Sequence, residues 1–127
     1  MAGELILVVE DKETNRKLAR DVLQFKGYKV AEAVTAEEGL VMANEQKPDL
    51  ILMDIHLPGM DGVAALAALR ADPETRDIPV VALTASAMPD EQDRILSAGF
   101  DGYETKPIGV KRLQEAVLEG LESRGPR

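Results

Sequence analysis

An α/β fold with a doubly wound parallel sheet, built as five successive βα units, (βα)5, is the fold class that this sequence predicts. Short apolar runs alternate along the chain with longer amphipathic stretches, which is the pattern of parallel strands joined by crossover helices. The length of 127 residues fits one domain and is too short for two comfortable ones. We therefore expect a single domain over residues 1–127.

Five short runs have the length and composition of strands. Three are apolar throughout, as strands covered on both faces should be, and we predict them at residues 5–9, 50–53 and 80–83. Two carry polar residues and are predicted at residues 29–33 and 102–104, nearer the edges of the sheet.

Two of the five predicted helices show a clear apolar stripe. Helix one ends at Gly27, a C-terminal cap. Its stripe is formed by Leu18, Val22 and Phe25. The stripe of helix five is formed by Val110, Leu113 and Val117, and this helix is expected to fray into residues 123–127.

The other three helices are recognised by the residues at their ends. Helix two opens with Thr35 and Glu38 at capping-box spacing. Helix three is predicted at about residues 61–71, where it stops before an Asp-Pro pair, and helix four at about residues 90–98, with Gly99 as its stop.

Composition excludes several classes of protein. A formal charge of −8 argues against nucleic acid as a direct ligand, because phosphate binding needs a basic face. The absence of Cys excludes disulfides, thiolate metal sites and thiol nucleophiles. The N-terminus lacks the features of a signal peptide, and the apolar runs are far shorter than the ~18 residues that span a bilayer. We expect a cytoplasmic protein that binds neither nucleic acid nor membrane.

Polar side chains follow four of the predicted strands where they end. Glu10 and Asp11 follow strand one, Asp54 ends strand three, Thr84 follows strand four and Lys106 lies just beyond strand five. Each alone has an ordinary explanation, such as a helix cap or a turn residue. Because ligands of open parallel sheets bind outside the carboxyl ends of the strands, these five side chains should meet at one rim.

Three carboxylates at one rim point to a cation. Two unit charges ~4 Å apart interact by roughly 4 kcal/mol at an effective dielectric constant of 20, so the group repels itself. All-oxygen ligands suit Mg²⁺, or Mn²⁺ in its place. An Asp carboxylate can attack phosphorus to form an aspartyl phosphate, and an ammonium and a hydroxyl can neutralise the phosphoryl oxygens. The rim therefore predicts metal-assisted phosphoryl chemistry.

Four segments together resemble the response regulator receiver domain of bacterial two-component systems. They are the acidic pair Glu10-Asp11 after Leu-Ile-Leu-Val-Val, Asp54-Ile-His-Leu-Pro-Gly-Met-Asp-Gly, Thr84-Ala after Pro-Val-Val-Ala-Leu, and Tyr103-Glu-Thr-Lys-Pro. Any one segment would be a weak signal, but together they are specific, and the resemblance covers residues 5 to about 121. It implies one receiver domain with the flavodoxin-like strand order 2-1-3-4-5.

The resemblance also implies a role for each rim residue. Asp54 matches the phosphoacceptor, and Thr84 and Lys106 match the residues that contact the phosphoryl oxygens. Asp11 matches the direct metal ligand. Glu10 matches the second acid, which often acts through water, although its arm is longer than that of the commoner Asp.

Further positions match the conformational and tuning elements of the family. His56 stands where the family lends a backbone carbonyl to the metal, so its imidazole need not be a ligand. Tyr103 matches an aromatic switch that moves inward as Thr84 turns toward the phosphate. The Lys106–Pro107 bond matches a peptide that is usually cis. His56 and Ser86 occupy variable positions thought to tune the phosphate lifetime.

The function implied is a phosphorylation-dependent switch rather than an enzyme. Such a switch catalyses only its own phosphorylation and dephosphorylation. The phosphoryl donor would be a histidine kinase or a histidine phosphotransfer protein. A downstream protein would bind the face built by helix four, strand five and helix five. The chain ends soon after helix five, so we expect no output domain, as in small single-domain regulators of cell-cycle phosphorelays. Two alternatives are a receiver-fold interaction module that acts independently of phosphorylation and a receiver excised from a hybrid kinase.

Two other classes fit the residues less well. A phosphatase of the haloacid-dehalogenase type would place its nucleophile after strand one and a second acid two residues later, whereas here Asp54 follows strand three and position 56 is His. A flavodoxin-like FMN protein would need a Gly/Ser/Thr-rich loop after strand one. The acidic pair stands there instead, and aromatic residues are only 3% of the chain.

Overall fold

The computed structural model describes residues 3–85, 88–106 and 108–123, and it confirms the predicted alternation of five strands with five helices. The strands are β1 (Leu5–Val9), β2 (Lys29–Ala33), β3 (Leu50–Asp54), β4 (Val80–Thr84) and β5 (Gly102–Thr105). The helices are α1 (Glu13–Phe25), α2 (Ala36–Gln46), α3 (Gly62–Ala71), α4 (Pro89–Ala98) and α5 (Val110–Ser123). Ser86, the Lys106–Pro107 peptide bond and the predicted fraying beyond residue 123 lie outside the described residues.

All five strands are parallel and form one sheet in the order β2-β1-β3-β4-β5, as the resemblance implied. The two polar strands, β2 and β5, stand at the edges, and every residue of β3 and β4 is buried. The last three strands run one residue beyond the predicted ends. Asp54 and Thr84 are therefore strand residues, fixed by the ladder, rather than the first residues of loops.

The ends of the helices follow the predicted signals. Gly27 has a φ of 94°, and the N–H groups of Gly27 and Tyr28 donate to the carbonyls of Gln24 and Leu23, which closes α1 with a Schellman motif. At the start of α2 the Thr35 hydroxyl accepts from the Glu38 N–H at 3.1 Å, as predicted. Among the described helices, none combines the length and the apolar composition needed to cross a membrane.

The sheet separates two apolar layers, because successive strand side chains point to opposite faces. One layer packs α1 and α5 against β-strand residues such as Ile6, Val8 and Leu52. The other packs α2, α3 and α4 against alternating residues such as Val9 and Met53. The carboxyl ends of the strands, where the polar side chains stand, form the rim between the two layers.

The predicted apolar stripes of α1 and α5 are partly wrong. In α1 the buried residues are Ala19, Val22 and Leu23, whereas Leu18 is half exposed and Phe25 is 87% exposed. The predicted and the buried residues both have helical spacing and share Val22. The predicted stripe therefore lay on a neighbouring face of the helix. In α5 Val110 is exposed, because the helix is covered by the sheet only from Leu113 onward.

Candidate functional site

Asp54 lies at the end of the central strand β3 and is only 3% exposed. The apolar residues before it are buried on both faces, so the strand has no freedom to move the carboxylate outward. Its Oδ2 accepts a hydrogen bond from Lys106 Nζ at 2.8 Å, and its Oδ1 accepts one from the His56 N–H at 2.9 Å. Both oxygens are therefore held at the rim by partners from different segments.

Lys106 follows the edge strand β5, and its side chain reaches the Asp54 carboxylate. Its Nζ lies 2.6 Å from Glu10 Oε1 as well as 2.8 Å from Asp54 Oδ2, so one ammonium bridges two carboxylates. Its backbone N–H donates to the Thr84 carbonyl at 2.8 Å, and this bond holds the Lys106 backbone beside the end of β4. Strands β1, β3, β4 and β5 thus all contribute to one cluster.

Glu10 is buried, which is unusual for a glutamate. It is 1% exposed, and its Oε2 accepts from the Lys12 N–H at 3.2 Å. Its Oε1 is near the Lys106 ammonium but accepts no well-directed hydrogen bond from the residues that the structure describes. The burial of this carboxylate therefore depends on the Lys106 ammonium beside it.

The three predicted acids meet as expected. Glu10, Asp11 and Asp54 each offer a carboxylate oxygen, and these three atoms lie within 4.8 Å of one another. Three carboxylates face a single ammonium, which leaves negative charge for a divalent ion to neutralise. The donor atoms are all oxygens, as Mg²⁺ prefers. The residues present therefore fit a hard divalent cation.

The protonation of the cluster is set by competition between burial and the ammonium. Burial raises the pKa of Glu10, and the nearby Lys106 ammonium offsets this only in part. Burial alone would also raise the pKa of Asp54, but the hydrogen bonds from Lys106 and the His56 N–H outweigh it and hold that pKa below its ordinary value. Burial would lower the pKa of Lys106, whereas its two acidic partners raise it. The pKa of Asp54 is thus lowered and that of Glu10 raised, and Lys106 stays charged.

The His56 side chain lies near the start of α4. Its Nε2 lies 3.9 Å from Glu91 Oε1 on α4, and its side chain is 59% exposed. The role of the His56 carbonyl toward the metal, for which its imidazole need not be a ligand, stays a prediction.

Thr84 and Tyr103 lie on neighbouring strands just behind the cluster. Thr84 is fully buried at the end of β4. Tyr103 is half-buried, packs against the layer formed by α2, α3 and α4, and is paired in register with Ala82, two residues before Thr84. Thr84 itself is paired in register with Thr105, two residues after Tyr103.

Two residues of the site were missed by sequence reasoning. Arg16 of α1 donates from Nη1 to the Glu10 carbonyl at 3.0 Å. A Cβ on Gly62, the first residue of α3, would lie 2.7 Å from the Asp54 carbonyl oxygen and 2.9 Å from Ile55 Cα. The signals that could have found them are an arginine shortly after an acidic pair and a glycine that opens a helix after a buried strand.

Comparison with known proteins identifies the family of this chain. The sequence profile described as the response regulator receiver domain matches residues 6–118. This chain belongs to the response regulator receiver domain family. The phosphatase and flavodoxin alternatives are thereby excluded.

Curated relatives resemble this receiver domain over nearly their whole length. The polar-differentiation response regulators DivK of Brucella anthropi and Brucella ovis are each 43% identical to it over 116 residues, which is 91% of this chain and 94% of each relative. The chain is accordingly a receiver of the two-component type and similar to DivK.

Solved structures of other receiver domains have the same fold. The receiver domain of a signal transduction histidine kinase from Syntrophus aciditrophicus is 31% identical with a TM-score of 0.89, and 98% of this chain and 95% of that one are covered. The receiver domain of a sensor histidine kinase from Pseudomonas aeruginosa is 34% identical with a TM-score of 0.87, covering 95% and 99%. In that second structure a magnesium ion is coordinated in the active site cleft.

Proposed function

We propose that Asp54 accepts a phosphoryl group from the phosphohistidine of a histidine kinase or histidine phosphotransfer protein. A carboxylate oxygen of Asp54 would form the new bond to phosphorus while the bond from phosphorus to the histidine nitrogen breaks. That nitrogen keeps the electron pair of the broken bond, and the donor histidine leaves as a neutral imidazole. The observation that carries the proposal is the buried, ionised Asp54 carboxylate beside Lys106 and two further acids.

The residues of the rim divide the work of this transfer. Mg²⁺ would be held by Asp11 and Asp54, with Glu10 acting through water and a carbonyl from His56, and when bound it neutralises phosphoryl oxygens and orients them. The Lys106 ammonium and the Thr84 hydroxyl contact the remaining phosphoryl oxygens. The chain thus supplies the catalytic groups for its own phosphorylation and dephosphorylation only.

We expect Mg²⁺ to stabilise the unphosphorylated protein. Binding to the native state alone adds RT ln(1 + [L]/Kd), about 2.7 kcal/mol at 100 times Kd, so the free energy of unfolding should rise with added Mg²⁺. Asp11→Asn should lose most of this gain, because it removes a carboxylate of the cluster. Urea unfolding with Mg²⁺ and with EDTA measures both values.

A matched control is Asp21→Asn, which makes the same charge change on the exposed side of α1. It should keep the full Mg²⁺ gain. If Mg²⁺ left the wild-type protein no more stable, or stabilised Asp11→Asn equally, the metal site would be assigned wrongly.

The signal would leave the site through Thr84 and Tyr103. Phosphorylation adds about −1.5 to −2 charges and three strong acceptor oxygens, which would draw the Thr84 hydroxyl toward Asp54. Tyr103 would move into the space beside β4, and the surface of α4, β5 and α5 would change shape for a downstream protein. This is a population shift that a mutation can separate from the chemistry.

Thr84→Ala should therefore still accept phosphate but lose most of the induced change around Tyr103. Amide NMR shifts over residues 90–117, with and without the phosphate mimic beryllofluoride, measure that change. Thr84→Ser keeps the hydroxyl and should retain most of it. Equal shifts in wild type and Thr84→Ala would reject this switch and favour a receiver that binds its partner independently of phosphorylation.

A further inference from the structure

Arg16 joins the acidic pair to the edge strand of the sheet. Its Nη1 donates to the Glu10 carbonyl at 3.0 Å, and its Nε lies 3.3 Å from Oε1 of Glu32 on β2. The carbonyl that it grips belongs to the peptide between Glu10 and Asp11. One guanidinium thus links α1, β2 and the backbone of the proposed metal site.

Burial distinguishes Arg16 from the other cations of α1. Its side chain is 16% exposed, against 54% for Lys17 and 31% for Arg20. A side chain so covered offers little surface to a partner protein. Its contacts therefore act within the chain, on the backbone that they hold.

The bond from Arg16 completes a two-sided grip on Glu10. The Glu10 N–H donates to the Ala33 carbonyl at 3.0 Å, and its carbonyl accepts from Arg16, so both peptide planes that flank its Cα are fixed. Rotation of the second plane would change ψ of Glu10 and φ of Asp11, the backbone angles on either side of that peptide. Without Arg16 the loop that carries both carboxylates would lose one of the hydrogen bonds that hold its backbone.

We propose that Arg16, oriented by Glu32, is a positioning residue that fixes the Glu10–Asp11 peptide and thereby sets the affinity of the site for Mg²⁺. The inference rests on the proposed function, because it assumes that these acids bind the metal. Outer groups that orient metal ligands commonly change metal affinity about 10- to 100-fold when they are removed. Arg16 makes that contribution through the backbone instead of through a ligand side chain.

The test is a calorimetric titration with Mg²⁺ alone. Arg16→Met keeps most of the apolar stem and removes the guanidinium, and we expect Kd to rise about tenfold. Arg20→Met is the matched control, because Arg20 also pairs with Glu32, at 3.6 Å, and has no bond to Glu10. The Kd of Arg20→Met for Mg²⁺, and the dependence of that Kd on salt concentration, should stay within about twofold of the wild-type values.

Glu32→Gln separates positioning from bulk stability. It should weaken Mg²⁺ binding by itself, about threefold, and add nothing to Arg16→Met, because Glu32 acts through Arg16. Urea unfolding in EDTA reports any loss of stability that is independent of the metal. If Arg16→Met does not fold, Glu32→Gln carries the test.

Two outcomes separate the inference from the function on which it rests. A wild-type protein that binds no Mg²⁺ would overturn the metal site itself. Wild-type binding together with an unchanged Kd in folded Arg16→Met, or in Glu32→Gln where the first variant fails, would overturn the role of Arg16 and leave the proposed function standing.

Discussion

Asp54→Asn is expected to abolish phosphorylation of the chain by acetyl phosphate and Mg²⁺ while leaving the fold intact. The amide has the size of the carboxylate, and its oxygen can still accept from the His56 N–H, which donates to Asp54 at 2.9 Å. Lys106 keeps Glu10 as its partner, 2.6 Å away. The variant loses the nucleophile and one carboxylate of the proposed metal site, so the rate should fall to background. Intact-mass analysis, which counts the phosphoryl groups added, measures it.

Asp61→Asn is the control for this result. Asp61 is the next aspartate along the chain and caps α3 by accepting from the Ala64 N–H at 2.9 Å, a role that Asn fills equally well. It should be phosphorylated at the wild-type rate. A phosphoryl group appearing on Asp54→Asn at that same rate would mean that the acceptor is another residue.

Lys106→Met should separate phosphoryl transfer from metal binding. The ammonium lies 2.8 Å from Asp54 and would stabilise charge on the transferring group, so its loss should slow phosphorylation about 100-fold or more at saturating Mg²⁺. Mg²⁺ itself should bind no more weakly, because the ammonium competes with the metal for Glu10 and Asp54. Initial rates from intact mass and a calorimetric Kd measure the two effects.

The test is specific because the phosphorylation rate should fall while the affinity for Mg²⁺ does not. Lys111→Met removes the same charge from the exposed surface of α5 and should alter neither quantity appreciably. In EDTA, Lys106→Met should also unfold at lower urea than wild type, because Glu10 and Asp54 then face each other without a counter-ion. Wild-type rates in Lys106→Met would remove Lys106 from the transfer step.

Much of the fold and the rim could be predicted because both depend on local patterns. Apolar runs placed the strands, and the rule that parallel strands collect polar residues at their carboxyl ends brought Glu10, Asp11 and Asp54 together. The strand order depended on the resemblance, since runs of apolar residues do not say which strand neighbours which. The structure confirms the positions of the strands and the meeting of these three acids.

The remainder depends on distances between segments that are far apart in sequence. The stripe through Leu18, Val22 and Phe25 fails because helical spacing allowed two arcs, and packing against the sheet chose the one through Ala19 and Leu23. The burial of Glu10 follows from its place between two neighbouring strands. A sequence pattern carries neither fact.

Gly62 gives the site a constraint on how this protein can be engineered. Replacing a helical glycine with alanine is a standard route to greater thermal stability, since alanine is favoured by about 1 kcal/mol within a helix. Here the added methyl would lie 2.7 Å from the Asp54 carbonyl oxygen. That backbone can move away from the methyl only if Asp54 itself moves. A variant designed for heat resistance would gain helix propensity at the expense of the geometry of its reactive aspartate, so position 62 should be held fixed in any such redesign.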